Sequence, residues 1–420
     1  IMPQDKQAMP GRWRVIGLVA VLCGAYMISQ FLRSSTGVIA PELSRDLQLA
    51  PGGLGVLSGA FFFSFALAQI PVGLMLDRYG ARNSMVVLMI FAIVGCVIFA
   101  RADGLLGLGS GRVMMGVGCA CLLMGPLMIY TRWFPADRFA TLSGIQIAAG
   151  TLGVLLATTP LAAVSEWIGW RGAFWALAVI TALMALLVLG TVRNAPAQEL
   201  QPPRPRESLL QSMRGLGAVL RNPALPYIFA LQFVAYGAMI SVLGLWGAPF
   251  LNDVYGLDGP GRGNILLLMS IAVALGMLFW GPLDRRMNSR KRPILLGGAG
   301  SASALLLLAL APESGLVPIT GLFIILGFCN GYTAISLAHG RSIFPDALVG
   351  RGITLLNMGN MAGAGLLQFL AGLIIGQFVP PGAPAPVAAY QLVFGFLALS
   401  LIAALLFYRR IADCPPNSTI

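Results

Sequence analysis

Apolar residues arrive along this chain in long blocks, each running for about twenty residues before a polar break. A helix of about twenty residues crosses a hydrocarbon core roughly 30 Å thick. Within lipid every backbone N–H and C=O has to be paired inside its own segment, so each block predicts a helix. The breaks predict twelve spans, at 14–38, 52–76, 83–101, 104–131, 139–165, 171–192, 224–250, 263–283, 293–311, 316–340, 352–377 and 388–408. One long polar stretch, Arg193 to Asn222, divides them six and six and contains Gln201-Pro-Pro-Arg-Pro-Arg206. We read residues 1–193 as an N-terminal six-helix bundle, 194–222 as a cytoplasmic linker with a short amphipathic helix near Leu209–Leu220, and 223–420 as a C-terminal six-helix bundle.

Composition agrees with this pattern. Of the 420 residues, 57% are hydrophobic and only 10% charged, against about 25% charged in a soluble domain. The 52 glycines suit helices that pack closely without a hydrophobic drive between them. No cleavable signal pattern precedes the first block. The net charge of +12 raises the idea of nucleic acid, but its distribution argues for topology. With the N-terminus in the cytoplasm, 21 Lys and Arg fall in cytoplasmic segments and only Arg45, Arg101, Arg171 and Arg262 on the other side. That bias puts both termini inside, in a multi-pass protein of the cell inner membrane whose surroundings are the lipid bilayer. Five of the six cysteines lie in apolar blocks and the chain has one histidine, so neither a metal site nor a disulfide framework is expected.

The two sets of spans repeat each other. Asp77-Arg78 follows span 2 and Asp284-Arg285 follows span 8; Phe134-Pro135 follows span 4 and Phe344-Pro345 follows span 10. The offsets are 207 and 210 residues. Duplicated halves of this kind build secondary transporters, with the substrate site between them near the midplane.

The segment after span 2 reads Gly73-Leu-Met-Leu-Asp77-Arg78-Tyr79-Gly80-Ala-Arg82. Here the chain resembles the major facilitator superfamily, whose signature Gly-x-x-x-Asp-Arg-x-Gly-x-Arg it matches throughout. Arg112, Gly116 and Gly118 match a second family pattern on helix 4, and Gly169-Trp170-Arg171 is common in the family. Gly281-Pro-Leu-Asp284-Arg285-Arg286 is a second copy of the first motif, one residue shorter. The resemblance implies an all-α membrane protein with twelve transmembrane helices in two pseudo-symmetric six-helix halves, both termini inside, working by alternating access. Gly73, Asp77, Arg78, Gly80, Arg82, Asp284 and Arg285 form the expected conformational switch. A carboxylate such as Asp77 at a helix end can accept bonds from a neighbouring helix N-terminus, and Arg82 can pair with it or with a cytoplasmic carboxylate. Such contacts latch the halves in one state and break in the other. Positive-inside topology alone is the competing reading.

Arg33 lies deep in span 1, where a charge costs several kcal/mol unless it faces a cavity or a partner. No Asp or Glu stands at mid-depth in any span; Glu42, Asp46, Glu166 and Asp253 all fall near outer ends. The natural complement is a substrate anion, which guanidinium binds through two parallel bonds. Arg33 also resembles the helix-1 arginine of the family's organic-anion and organophosphate transporters, eight residues before a proline, here Pro41. The competing reading is an arginine that snorkels to the interface or bonds carbonyls. Spans 1, 4, 7 and 10 line the cavity in that family, which brings Tyr26, Gln30, Gln232, Tyr236, Asn330 and Tyr332 forward as further substrate contacts. Asn357 and Asn360 share a helical face and are expected to bond helices. Arg112, Glu166 and His339 are candidate coupling groups. Against that role, Arg112 is expected to pair structurally with helix 1 and His339 to be a satisfied residue at a helix end.

Span 5 has glycines but no Gly-Pro, which with the missing carboxylate argues against a cationic-drug exporter. The expected function is secondary transport of a small organic anion, driven by protons or by anion exchange, by a monomer needing no cofactor. The alternative is efflux of a hydrophobic or zwitterionic compound. No catalytic dyad, metal cluster or phosphate loop speaks for an enzyme.

Overall fold

A computed structural model describes residues 12–134, 136–195, 217–345, 348–379 and 384–416. Most of the linker, with most of the helix expected near Leu209–Leu220, lies outside them. Among the described residues the regular structure is helical throughout, without strands. Ten helical stretches are long and apolar enough to cross a membrane, and Thr141–Leu156 is a shorter apolar one.

The N-terminal set is α1 (Arg12–Leu47), α2 (Pro51–Arg101), α3 (Leu105–Cys119), α4 (Met124–Trp133), α5 (Ala136–Leu156) and α6 (Thr159–Thr191). Two of these helices run through what reads as a break in the sequence. At Gly80 (φ 77°, ψ 164°) in α2 and Gly169 (φ 73°, ψ 161°) in α6 the chain turns on a single residue. Only glycine enters such backbone without strain, so each expected loop contracts to one kink. Other spans are interrupted where none was expected. The fourth breaks at 120–123. The fifth breaks at Thr158, whose φ/ψ is non-helical, just before Pro160.

The C-terminal set is α7 (Leu225–Ser241), a π turn (Val242–Trp246), α8 (Gly247–Tyr255), α9 (Gly259–Trp280), α10 (Leu283–Arg286), α11 (Lys291–Leu310), α12 (Leu316–Asn330), α13 (Thr333–Ser342), α14 (Val349–Gly376) and α15 (Val387–Tyr408). The π turn has a local cause. Pro249 carries no N–H, and its ring would crowd the carbonyl of Leu245 four residues back. Widening the helix through 242–246 relieves that contact.

The two sets pack on each other through α1 with the π turn and α8, α2 with α14, and α5 and α6 with α9. A close approach joins α1 to the π turn, where a Cβ on Gly37 would lie 2.6 Å from the Gly244 carbonyl. Side chains on the outside of the bundle, such as Leu67, Leu186, Leu278 and Leu399, are apolar and exposed, the surface that lipid covers.

Candidate functional site

The chain around Arg33 is set up by α1 and α2. Arg33 is 8% exposed, and Ser34, Ser35 and Thr36 after it are buried too. Its Nη1 donates to the Tyr236 hydroxyl of α7 over 3.4 Å. The guanidinium carbon lies 4.8 Å from the centre of the Phe65 ring, a cation–π contact that repays part of its desolvation. Its Nε is buried with no partner. Among the described residues no carboxylate comes within ion-pair distance of it. Gln30 and Tyr26 stand on the same face of α1, one and two turns back. Tyr26 is buried and within electrostatic reach of both Arg33 and Tyr236. The Gln30 Oε1 is buried and accepts no bond. Tyr26, Gln30, Arg33 and Tyr236 therefore form one cluster, with donor capacity left on the cation and acceptor capacity on the amide.

Three other sequence candidates sit differently. Gln232 Nε2 donates to the Ser336 carbonyl over 3.2 Å, and Asn330 Nδ2 to the Ala235 carbonyl over 3.5 Å. Both tie α7 to its neighbours, each with its oxygen buried and unpartnered. Tyr332 packs toward α11, where a Cβ on Gly297 would lie 2.7 Å from its own Cβ. It is fully buried there, with its hydroxyl unpartnered.

Arg112 is wholly buried, with Nε and Nη1 bonded to backbone and Nη2 unpartnered. Its Nη1 donates to the Leu32 carbonyl over 2.8 Å and its Nε to the Leu57 carbonyl over 3.4 Å. Its guanidinium lies 4.5 Å from the Phe61 ring, one turn from the ring that serves Arg33. The carbonyl it holds belongs to the residue just before Arg33, so Arg112 fastens the backbone that aims Arg33. His339 is buried within the C-terminal set, with Nδ1 2.6 Å from the Tyr408 hydroxyl. Glu166 is exposed, beside Gly259.

The switch motif departs from the expectation for Arg82. Its Nε donates to the Leu189 carbonyl over 3.1 Å, its Nη2 reaches the same oxygen, and its backbone N–H donates to Asn194 Oδ1 over 2.9 Å. Its partner is thus the end of α6, where helix carbonyls lack intrahelical donors and the dipole favours a cation, rather than a carboxylate. Gly80 supplies the turn that brings Arg82 there, with its own Cα close to Asn194. Asp77 and Arg78 are exposed, Gly73 has open space beside it, and Arg78 lies 5.6 Å from the Tyr79 ring.

In the second copy Asp284 is buried, with Oδ2 3.9 Å from Arg290 Nε, and Arg285 is exposed. The fastening there comes from Asp413. Its Oδ1 accepts from the backbone N–H groups of Arg290 and Lys291, at 3.1 Å each, and its Oδ2 from the Ser289 hydroxyl. Burial pushes the Asp413 carboxyl up, but the bonds from Ser289, Lys291 and Arg290 outweigh it and leave it below the usual carboxylate value.

One pair escaped the sequence reading. Arg262 of α9 is 2% exposed and forms an ion pair and hydrogen bond with Glu42 of α1; its Nη1 also donates to Asn252 Oδ1 over 2.6 Å. Nearby, Thr159 Oγ1 donates to Asn264 Oδ1 over 2.9 Å, again between the two sets. The available signal was position. Arg262 stands in the first turn of its helix, where the macrodipole opposes a cation, so a carboxylate from elsewhere has to hold it. A cavity of about 220 Å³ lies at this end, lined by Ser44, Asn252, Asp253 and Tyr390 among others.

The pattern for the Major Facilitator Superfamily matches residues 22–339 and 248–419. The "Putative tartrate transporter" of Agrobacterium vitis is 25% identical over 325 residues, 72% of each chain. The "Nitrite extrusion protein" of Bacillus subtilis (strain 168) is 24% identical over 367 residues, 86% of this chain and 85% of its own. Among solved structures, a bacterial homolog to the human lysosomal transporter Spinster, inward-facing and occupied, superimposes with a TM-score of 0.81 at 19% identity. It covers 96% of this chain and 97% of its own, a likeness of fold.

Proposed function

The chain belongs to the major facilitator superfamily, and from that premise we propose that it carries a small organic anion, carboxylate in type, across the cell inner membrane by alternating access. The observation that carries this reading is Arg33: buried between the two sets of helices, with one long bond and no counter-charge among the described residues. A buried guanidinium without a carboxylate is costly, and an anion that docks on it gains a charge-assisted, two-point contact. Relatives whose names specify tartrate and nitrite both handle anions, which supports the sign of the charge.

In this reading twelve spans form two halves, residues 1–193 and 223–420 joined by a cytoplasmic linker, in a monomer with both termini inside. The basic end faces the cytoplasm and the end carrying Glu42 faces out. The contacts of Gly37 with Gly244 and of Glu42 with Arg262 then close the outer side, and Arg82 serves its own half while the inner side is open. The driving force is a proton gradient or a counter-transported anion.

The test is uptake into proteoliposomes across a panel of hydroxylated carboxylates, dicarboxylates and inorganic anions, with pH gradients and preloaded anions as separate drives. Arg33→Ala is expected to lose about 100-fold or more of uptake, as removal of a buried charge contact costs several kcal/mol. Normal anion uptake by that variant would sink the proposal.

A further inference from the structure

Away from the Arg33 cluster, the apolar outer face carries a groove of about 270 Å³ between α11 and α15. Its floor is closed, since a Cβ on Gly298 would lie 2.5 Å from Leu405. Ala299, Ala302 and Ser303 recess one wall, Ile402 and Leu406 form the other, and Arg409 stands at one end. The wall on α11 extends from Leu295 to Leu306, a rise of about 16 Å at 1.5 Å per residue. That is about half of a hydrocarbon core roughly 30 Å thick, the depth of one leaflet.

The charge at the groove's end fits the same occupant. Arg409, Arg410 and Arg292 are exposed there. Among the described residues no ion pair neutralises them. The nearby carboxylates are engaged elsewhere: Asp284 faces Arg290, and Asp413 caps the start of α11. Unneutralised arginines at the level of the headgroups attract anionic lipid, while the recessed apolar wall takes a chain.

We propose that this groove seats one anionic phospholipid of the leaflet on the basic side, an acyl chain lying between α11 and α15 and the phosphate at Arg409 and its neighbours. The site is distinct from the Arg33 cluster, and occupying it requires no opening of the halves.

Native mass spectrometry on the purified full chain tests it, with phosphatidylglycerol and phosphatidylcholine of identical acyl chains. One phosphatidylglycerol is expected to be retained in preference to phosphatidylcholine. Arg409→Gln with Arg410→Gln should weaken it about 30-fold, at roughly one surface-charge increment per arginine. Ala299→Leu with Ser303→Leu, which fill the groove from exposed positions, should abolish the preference while the thermal unfolding temperature stays unchanged. Equal retention of phosphatidylcholine, or unchanged affinity in both variants, overturns the proposal. Competition by glycerol phosphate as effective as by the intact lipid also overturns it, by making the site one for free anions.

Discussion

The two sets of helices invite comparison at one repeated place. Eight residues before Pro41 stands Arg33; eight residues before Pro249 stands Ser241. Gly37, four residues before its proline, meets Gly244, five residues before the other, at a close backbone contact between the sets. The duplicated backbone has therefore been kept as the surface on which the sets bear on each other. The chemistry has not. Ser241 is buried and donates to the Gly237 carbonyl over 2.6 Å, asking nothing of a ligand. Arg33 keeps an unpartnered Nε and a single long bond to a hydroxyl. The repeated backbone carries a cation in one set only, and in the reading proposed above that departure marks the site, which is lopsided, with the cation on one side and the Tyr236 hydroxyl on the other.

Short of removing the charge, the largest expected effect comes from degrading that asymmetry. Arg33→Lys keeps the cation but loses the planar fork, so proteoliposome uptake should fall about tenfold or more, the cost of one charge-assisted bond. Ser241→Ala should leave uptake near the wild-type rate. Equal losses in the two variants would erase the distinction drawn here.

Next comes the contrast between the two buried arginines of the N-terminal set. Arg112→Met removes two side-chain bonds that tie the Leu32 and Leu57 carbonyls of α1 and α2 to its helix, at about 1.5–3 kcal/mol for each bond from a charged donor. Unfolding of the detergent-solubilised protein should shift down by several degrees, a change Arg33→Ala does not show. If Arg33→Ala proved the more destabilising, the assignment of one arginine to structure and the other to substrate would be reversed.

Arg262 is the third buried arginine and the one with a carboxylate. Glu42→Gln weakens the tie between the sets at that end. A cysteine placed at Ser44, on the nearby cavity, should react with a membrane-impermeant maleimide several-fold faster in that background, as about 1 kcal/mol of lost coupling shifts a two-state balance about fivefold. An unchanged labelling rate would remove Glu42 from the gate.

The smallest effect concerns the two fastenings at the basic end. Asn194 holds the start of one third span and Asp413 the start of the other. Only the second can titrate. Because the folded Asp413 carboxyl lies below its usual value, its stabilisation is complete above the unfolded value of about 4 and fades as pH falls through the folded one. Wild type should show a small acid-dependent drop in unfolding temperature below about pH 4 that Asp413→Asn lacks. The drop persisting in Asp413→Asn would place its origin elsewhere.

Much of this was legible in the chain. Block length marked the membrane helices, the Gly73–Arg82 motif marked the family, and the absence of a mid-depth carboxylate made Arg33 conspicuous. Tyr26, Gln30 and Arg33 could be grouped because residues three and four apart share a helix face. Asn330, Gln232 and Tyr332 could not be sorted the same way. Whether a buried amide meets a ligand or a neighbouring carbonyl depends on how its helix is rotated against others; Asn330 proved to bond a carbonyl of α7 and Gln232 one of α13, while Tyr332 turned to α11. Arg82 was expected on a carboxylate and found the open carbonyls of α6 instead.

By itself the sequence determined what depends on local partition between lipid and water: which segments are helical and where an embedded charge demands an explanation. Tertiary structure alone decided the partners. Arg112 with Leu32, Arg262 with Glu42 and Arg33 with Tyr236 lie 80, 220 and 203 positions apart. No periodicity along one helix encodes such pairings. They follow from the packing of whole helices, which close contacts such as Gly37 on Gly244 permit and which leaves Arg33 with one long bond to a hydroxyl and an unpartnered Nε.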